Sequence, residues 1–209
     1  MSDAMPLSTL TFRFLAAAFV LGAGSCADDS TGPTEKPPAE LNILRLPANH
    51  APFEQTSVSF WARVNQSREG RIYFLDGEGK RGEEFARLKI DSGSLLARPD
   101  GTPFGVGDSI LITMTVVDPS RVLVELQPAG LRFRSDKPAE LKLDYGEADD
   151  DFDDDGDVDD EDERTEQLLA IWRQEQPGST FIKLGSVKSE DLEEIVAKLV
   201  SFSRYAIAY

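Results

Sequence analysis

The chain is predicted to be all-β, an immunoglobulin-like antiparallel β-sandwich with an acidic loop inserted into it. Three observations lead there. Apolar and polar residues alternate in short runs between residues 42 and 145. Turns dense in Gly and Pro separate those runs. Most of the net charge falls in one stretch, 147–163, which leaves the body of the chain close to neutral. The 209 residues are enough for one domain with a sizeable core, and 40% apolar with 29% charged residues is a globular composition.

The formal net charge is −16, of which 147–163 carries −13 and residues 27–40 carry −3. The leader is neutral, and so are 41–146 and 164–209 taken together. A neutral body without a basic patch excludes nucleic acid as a partner, because phosphate binding needs clustered Lys and Arg. One cysteine, Cys26, rules out an intramolecular disulfide, and one histidine, His50, with that cysteine is too little for a zinc site.

In chain order, residues 1–25 form an export signal. Arg13 precedes the apolar run FLAAAFVLGAG, which is too short for a permanent membrane helix. A start at Met5 instead of Met1 would remove Asp3 and give a cleaner signal. Ala23-Gly24-Ser25-Cys26 resembles a bacterial lipoprotein box, with Ala23 where Leu is usual. The resemblance implies that Cys26 is lipidated and that the membrane is reached through this anchor, each buried CH₂ contributing about 0.8 kcal/mol. Ala27, in place of an Asp, points to the outer membrane, with the domain exposed to the periplasm or cell surface. Residues 26–40 are polar, charged and Pro-rich and read as a flexible tether. The sandwich domain is 41–209.

Within it, 42–46 is a short strand ended by Pro47. Residues 56–64 place Val58, Phe60, Ala62 and Val64 on one face. Runs at 70–76 and 84–90 flank a DGEGKRG turn, and SLLA precedes a Gly/Pro-dense joint. The strongest strand is 109–117, with Ile110, Ile112, Met114 and Val116 together. Strands follow at 121–126, 131–133 and 139–145, the last with Leu141, Leu143 and Tyr145 inward and Lys142 and Asp144 outward. Residues 167–174 suit either a strand or a helix with an acidic first turn and a Pro177-Gly178 stop. Residues 189–200 carry the same ambiguity. The aromatic residues Phe60, Trp61, Tyr73, Phe74, Phe133, Phe202 and Tyr205 are core candidates; a glycan-stacking platform would need several of them exposed on one face.

Several short motifs carry a family resemblance: Val117-Asp118-Pro119, Val124-Glu125-Leu126-Gln127-Pro128-Ala129-Gly130-Leu131-Arg132-Phe133, Pro138-Ala139-Glu140-Leu141, and Phe202-Ser203-Arg204-Tyr205-Ala206. Over residues 95–209 the chain resembles a bacterial variant of the β-sandwich domain first noted in zonula occludens and uncoordinated (netrin-receptor) proteins and also found in ankyrins. The resemblance implies strands at 167–174 and 195–200, and a domain that binds or holds without catalysis. It does not cover 41–94, which adds strands or a small separate sheet, and it departs from the pattern in the acidic insertion.

Inside that insertion, Asp151-x-Asp153-x-Asp155-Gly156-Asp157-Val158-Asp159-x-x-Asp162 has the ligand spacing of a calcium loop of the EF-hand kind. Ca²⁺ takes six to eight oxygens, supplied in such a loop from positions 1, 3, 5, 7, 9 and 12, with Gly at 6 for the sharp turn. The candidates are Asp151, Asp153, Asp155, the carbonyl of Asp157, Asp159 and Asp162. Val158 is the apolar residue that holds the loop, and Glu161 or Glu163 can replace Asp162 after a register shift. Asp162 at the last position resembles dockerin loops, but there is one loop here and not two. Gly156 and Val158 are the informative positions, since Asp matches come cheaply in so acidic a run. The alternative is a solvated, disordered loop without metal.

The function expected is therefore a lipid-anchored, non-catalytic envelope module that binds an envelope or extracellular protein or glycan. One alternative is a purely structural sandwich. The other is an envelope-polymer hydrolase; it has no Gly-x-Ser-x-Gly, His-Glu-x-x-His or phosphate loop, and would need a carboxylate pair such as Glu125 and Asp144.

Overall fold

The computed structural model describes residues 32–152 and 155–209. The signal at 1–25, Cys26 and Asp153 lie outside the described residues. Among the described residues no helix is long and apolar enough to cross a membrane.

The elements are, in chain order, β1 (Glu35–Lys36), β2 (Ser57–Arg63), β3 (Arg68–Leu75), β4 (Arg81–Ile90), β5 (Leu95–Ala97), β6 (Ser109–Val116), β7 (Leu123–Gln127), β8 (Arg132–Phe133) and β9 (Ala139–Asp144). Then come helix α1 (Asp160–Leu168), β10 (Ala170–Gln174), β11 (Phe181–Lys183), β12 (Ser186–Ser189), a 3₁₀ turn (Glu190–Leu192), β13 (Glu194–Leu199) and β14 (Arg204–Ala208). They build an all-β sandwich of two antiparallel sheets. One has the order β1-β11-β10-β14-β7-β6-β2 and the other β12-β13-β9-β4-β3; a ribbon of β5 and β8 lies beside them.

Strand periodicity explains the layers. In β6, Ile112, Met114 and Val116 are buried, while Leu111, next to Ile112 and turned to the opposite face, is exposed. In β9, Leu141 and Leu143 point into the core. They meet Ile112, Met114, Val124, Leu126, Tyr205 and Ile207 of the facing sheet in one continuous apolar cluster. Phe53, Phe74 and Phe85 close one end with ring centroids 4.7–5.4 Å apart. His50 sits against Phe53 and Phe74.

The segment not covered by the resemblance adds no separate sheet. It supplies β2 to the seven-stranded sheet and β3 and β4 to the five-stranded one. The two resemblance motifs of the second half meet in space. Gly130 N–H donates to Phe202 O (3.0 Å), Phe202 N–H donates to Leu131 O (2.9 Å), and the Phe133 and Phe202 rings lie 4.9 Å apart. Gly130 takes φ +79°, a conformation that favours glycine in this turn.

Both ambiguous segments resolve in detail. Residues 160–168 are helical and 170–174 form a strand, so the helix and strand patterns each hold for part of the run. Residues 194–199 are a strand; Leu192, which the helical spacing grouped with Ile195, is exposed in the 3₁₀ turn. Three expectations are corrected. The tether ends earlier than its composition suggests, because Glu35 and Lys36 pair with Ile182 and Phe181 and extend the sheet by main-chain bonds that need no apolar side chain. Residues 42–46 form only isolated bridges, Ile43 with Ala208 and Arg45 with Arg121. Trp61 is 57% exposed, because it alternates with Phe60 and Ala62 and so faces outward.

A second apolar cluster lies on the outer face of the seven-stranded sheet, made of Leu41, Leu123, Ala170, Trp172, Phe181, Ala206 and Ala208. The Trp172 indole N–H donates to Ala208 O at 3.0 Å, and the Lys36 and Lys183 ammonium groups each lie 5.8 Å from its ring.

Candidate functional site: the acidic loop

The loop connects β9 of one sheet to α1 and then β10 of the other, so it crosses between the layers at one end of the sandwich. Its entry is fixed by Ala148 N–H donating to Tyr145 O (2.9 Å) and Asp149 N–H donating to Arg45 O (3.2 Å). Phe152 packs against the main core, and the Tyr209 hydroxyl donates to Phe152 O. The chain's last residue thus holds the loop's second position.

The local sequence explains the rest of the turn. Asp151 accepts from Asp155 N–H (3.1 Å) on one oxygen and from Gly156 N–H (2.9 Å) on the other. Gly156 has φ +102°, which the sharp bend requires and a β-carbon would resist. Asp155 accepts from Asp157 N–H (3.2 Å). Asp159 is the N-cap of α1 and forms a capping box with Asp162, whose Oδ2 accepts from Asp159 N–H at 2.9 Å. The other oxygen of Asp162 accepts from Phe152 N–H at 2.7 Å. Asp162 is only 3% exposed. A carboxylate so buried is tolerable because both oxygens are bonded.

Helix α1 begins at Asp160, the tenth position of the twelve-residue spacing. Four acidic residues fill its first turn, where the helix dipole favours them. At its other end the Lys188 ammonium donates to Glu166 O (2.7 Å) and that of Lys183 to Leu168 O (3.5 Å), which suits the negative pole. The Tyr145 hydroxyl donates to Glu166 Oε1 at 2.8 Å; burial and this carboxylate raise its pKa. The helix is thereby clamped to β9 and β12.

Of the six predicted ligand positions, Asp151, Asp155, Asp157, Asp159 and Asp162 are described. Among the described residues no group of three or more His, Cys, Asp or Glu side chains converges as a metal site. The donor chemistry nonetheless suits a hard cation: all carboxylate and carbonyl oxygen, no nitrogen or sulfur. Repulsion from Asp155 and Asp159 raises the Asp157 pKa.

Val158 does not hold the loop as expected. It is 68% exposed, and Phe152 provides the apolar anchor. Phe152 was visible in the sequence as the only aromatic residue of the acidic run. Nothing local pointed to Tyr209 or Tyr145.

The proposed acid/base pair does not form. Glu125 lies on the outer face of the seven-stranded sheet, 3.4 Å from Arg204. Asp144 lies on the outer face of the five-stranded one, where burial pushes its carboxyl up to about 6. The core separates them.

No family model, no curated protein and no solved structure matches the chain.

Proposed function

We infer that this is a lipid-anchored, non-catalytic interaction module of a bacterial envelope, an outer-membrane lipoprotein whose acidic loop takes Ca²⁺. One observation carries the calcium reading: the twelve-residue spacing coincides with a folded turn. Its first carboxylate, Asp151, closes the bend at Gly156; its ninth residue caps α1; its last, Asp162, is buried and aimed by two N–H groups. Carboxylates already oriented by backbone donors lose little entropy on meeting a cation. Asp153 would supply the third position and the Asp157 carbonyl the seventh. The envelope reading rests on the lipoprotein-like box at Cys26. The binding role rests on the resemblance to the zonula occludens and netrin-receptor type of domain, and the partner class is an envelope or extracellular protein or glycan.

A second reading, a structural sandwich with a metal-free loop, is favoured by a different observation. The bonds from Phe152, Asp155, Gly156 and Asp159 N–H satisfy Asp151 and Asp162 without a cation.

Calorimetry separates the two. The compact unit Pro33–Tyr209 carries both apolar clusters and every described strand, so it is the unit to titrate. It should bind one Ca²⁺ with a dissociation constant on the order of 10⁻⁴ M, as extracellular modules do. Asp153→Asn with Asp155→Asn should abolish binding. No saturable heat, or heat unchanged in the double variant, leaves the structural reading standing.

A further inference from the structure

A sheet edge presents a row of backbone N–H and C=O groups that template another strand, and folded proteins protect such edges. The two main sheets have four, and three are protected. The β11 edge is closed by β1, two residues long and bracketed by Pro33 and Pro37-Pro38, which lack N–H groups. The β12 edge is four residues long and carries Lys188. The β3 edge is broken by register shifts around Tyr73 and partly covered, with Glu54 N–H donating to Tyr73 O (2.9 Å) and Leu75 N–H to Pro52 O (2.7 Å). The β2 edge differs. Its seven residues pair with β6 without a shift, it holds no Pro or Lys, and among the described residues no strand pairs on its far side.

The hydrogen-bond phase of β2 identifies its free groups. Val116 N–H donates to Thr56 O (2.8 Å) and Val64 N–H to Asp108 O (3.2 Å). Bonding residues alternate along an antiparallel ladder, so Val58, Phe60 and Ala62 turn their backbones to β6, and Ser57, Ser59 and Trp61 turn theirs outward. The side chains of these outward residues share the outer face, where Trp61 lies beside the 45% exposed Leu111.

We propose that β2 is a homodimerisation edge: two copies pair β2 to β2, antiparallel about a two-fold axis at Ser59, and join their seven-stranded sheets into one. In that register Ser59 faces its own counterpart and Ser57 faces Trp61, so every outward residue of one strand meets an outward residue of the other. Pairing of identical antiparallel strands is self-complementary. The occupant follows from charge and position. The only charged residue of β2 is Arg63, so no row of like charge opposes self-pairing. The acidic loop is anchored through Tyr209, at the end of β14, and β7 and β6 lie between β14 and β2. At ~4.8 Å per strand the two β14 strands of the joined sheet stand ~33 Å apart. That is several times the screening length of ~8 Å in physiological salt. Self-repulsion between the two acidic loops, −13 each, is therefore largely screened in this pairing. An interface this small makes a weak, concentration-dependent dimer.

The test is sedimentation velocity of Pro33–Tyr209 from micromolar to millimolar concentration, together with cross-linking. A monomer–dimer equilibrium is expected. Ser59→Pro should raise its dissociation constant at least about tenfold while far-UV circular dichroism stays unchanged, because the N–H it removes points away from β6. Ser59→Cys should oxidise to a covalent dimer, since the paired positions fall within disulfide range, whereas Thr113→Cys, one strand inward, should not. If Ser59→Pro does not fold, the two cysteine variants decide alone. A unit monomeric throughout with no Ser59→Cys cross-link, or a dimer indifferent to Ser59→Pro, overturns the proposal. So does a monomer whose β2 amide resonances respond only to an added extended peptide, which would assign the edge to a foreign strand.

Discussion

Lys142 and Asp144 share the outer face of β9 and fare differently there. Lys142 is 8% exposed, and its ammonium lies 2.7 Å from Glu194 on β13 and 3.1 Å from Glu84 on β4. Burial alone would lower its pKa, but the two carboxylates outweigh it and the net shift is upward. Lys142→Met would leave Glu194 without its ammonium partner and Glu84 with Arg71 at 2.9 Å. It should cost ~2–3 kcal/mol in a denaturant titration, because removing one partner strands the other charge. Asp144 has the opposite problem. Burial raises its carboxyl from 3.8 to about 6, so the folded state holds a proton that the unfolded chain has released. Stability from this group is complete below its unfolded value and is lost as pH rises through about 6. Denaturation midpoints should therefore fall from about pH 5 to about pH 7, and Asp144→Asn should flatten that slope.

At the scale of elements, the acidic loop and α1 behave as one unit joined to the sheets by tyrosines. The Tyr209 hydroxyl holds Phe152 O, and the residue before it, Ala208, accepts the indole N–H of Trp172. A change in the loop is thus two residues from a buried indole. Ca²⁺ addition should alter Trp172 fluorescence, read cleanly in a Trp61→Phe background because Trp61 is the chain's other indole. Tyr209→Phe should weaken Ca²⁺ binding about fivefold, corresponding to loss of one hydrogen bond of ~1 kcal/mol, while leaving the sheets intact. Equal affinity in Tyr209→Phe would show that the loop folds around the ion without this clamp. The calcium-loop spacing claims Asp159 and Asp162 as ligands, and of their capping box only the three-residue spacing was legible in the sequence. The tyrosine clamps were not, because Tyr145 and Tyr209 reach α1 and the loop only after the sheets have assembled.

For the whole molecule, charge and packing are segregated. A neutral sandwich carries a loop of thirteen acidic residues at one end, fastened at β14, the middle strand of the seven-stranded sheet. Insertion into a connection between layers costs the core little, because the strands on either side keep their registers. The bare edge at β2 and the crowded edge at β11 give the seven-stranded sheet two unlike sides. The β1 pairing also brings part of the polar tether into the fold.

By itself the sequence determined what depends on neighbours along the chain. The faces of β2, β6 and β9 followed from alternation, the bend at Gly156 from a residue that tolerates positive φ, and the confinement of charge from simple counting. Tertiary structure alone decided what depends on residues far apart. It split the ambiguous run at 167–174 between helix and strand, because Ala170 onward had β14 to pair with and 160–168 had no strand beside it. It left β2, with its outward Trp61, at an open edge, covered Lys142 with carboxylates from two other strands, and brought Tyr209 to the acidic loop. The period of a strand is a property of its own backbone; which edge stays open, and which side chain meets the loop, depends on the order in which the sheets are assembled.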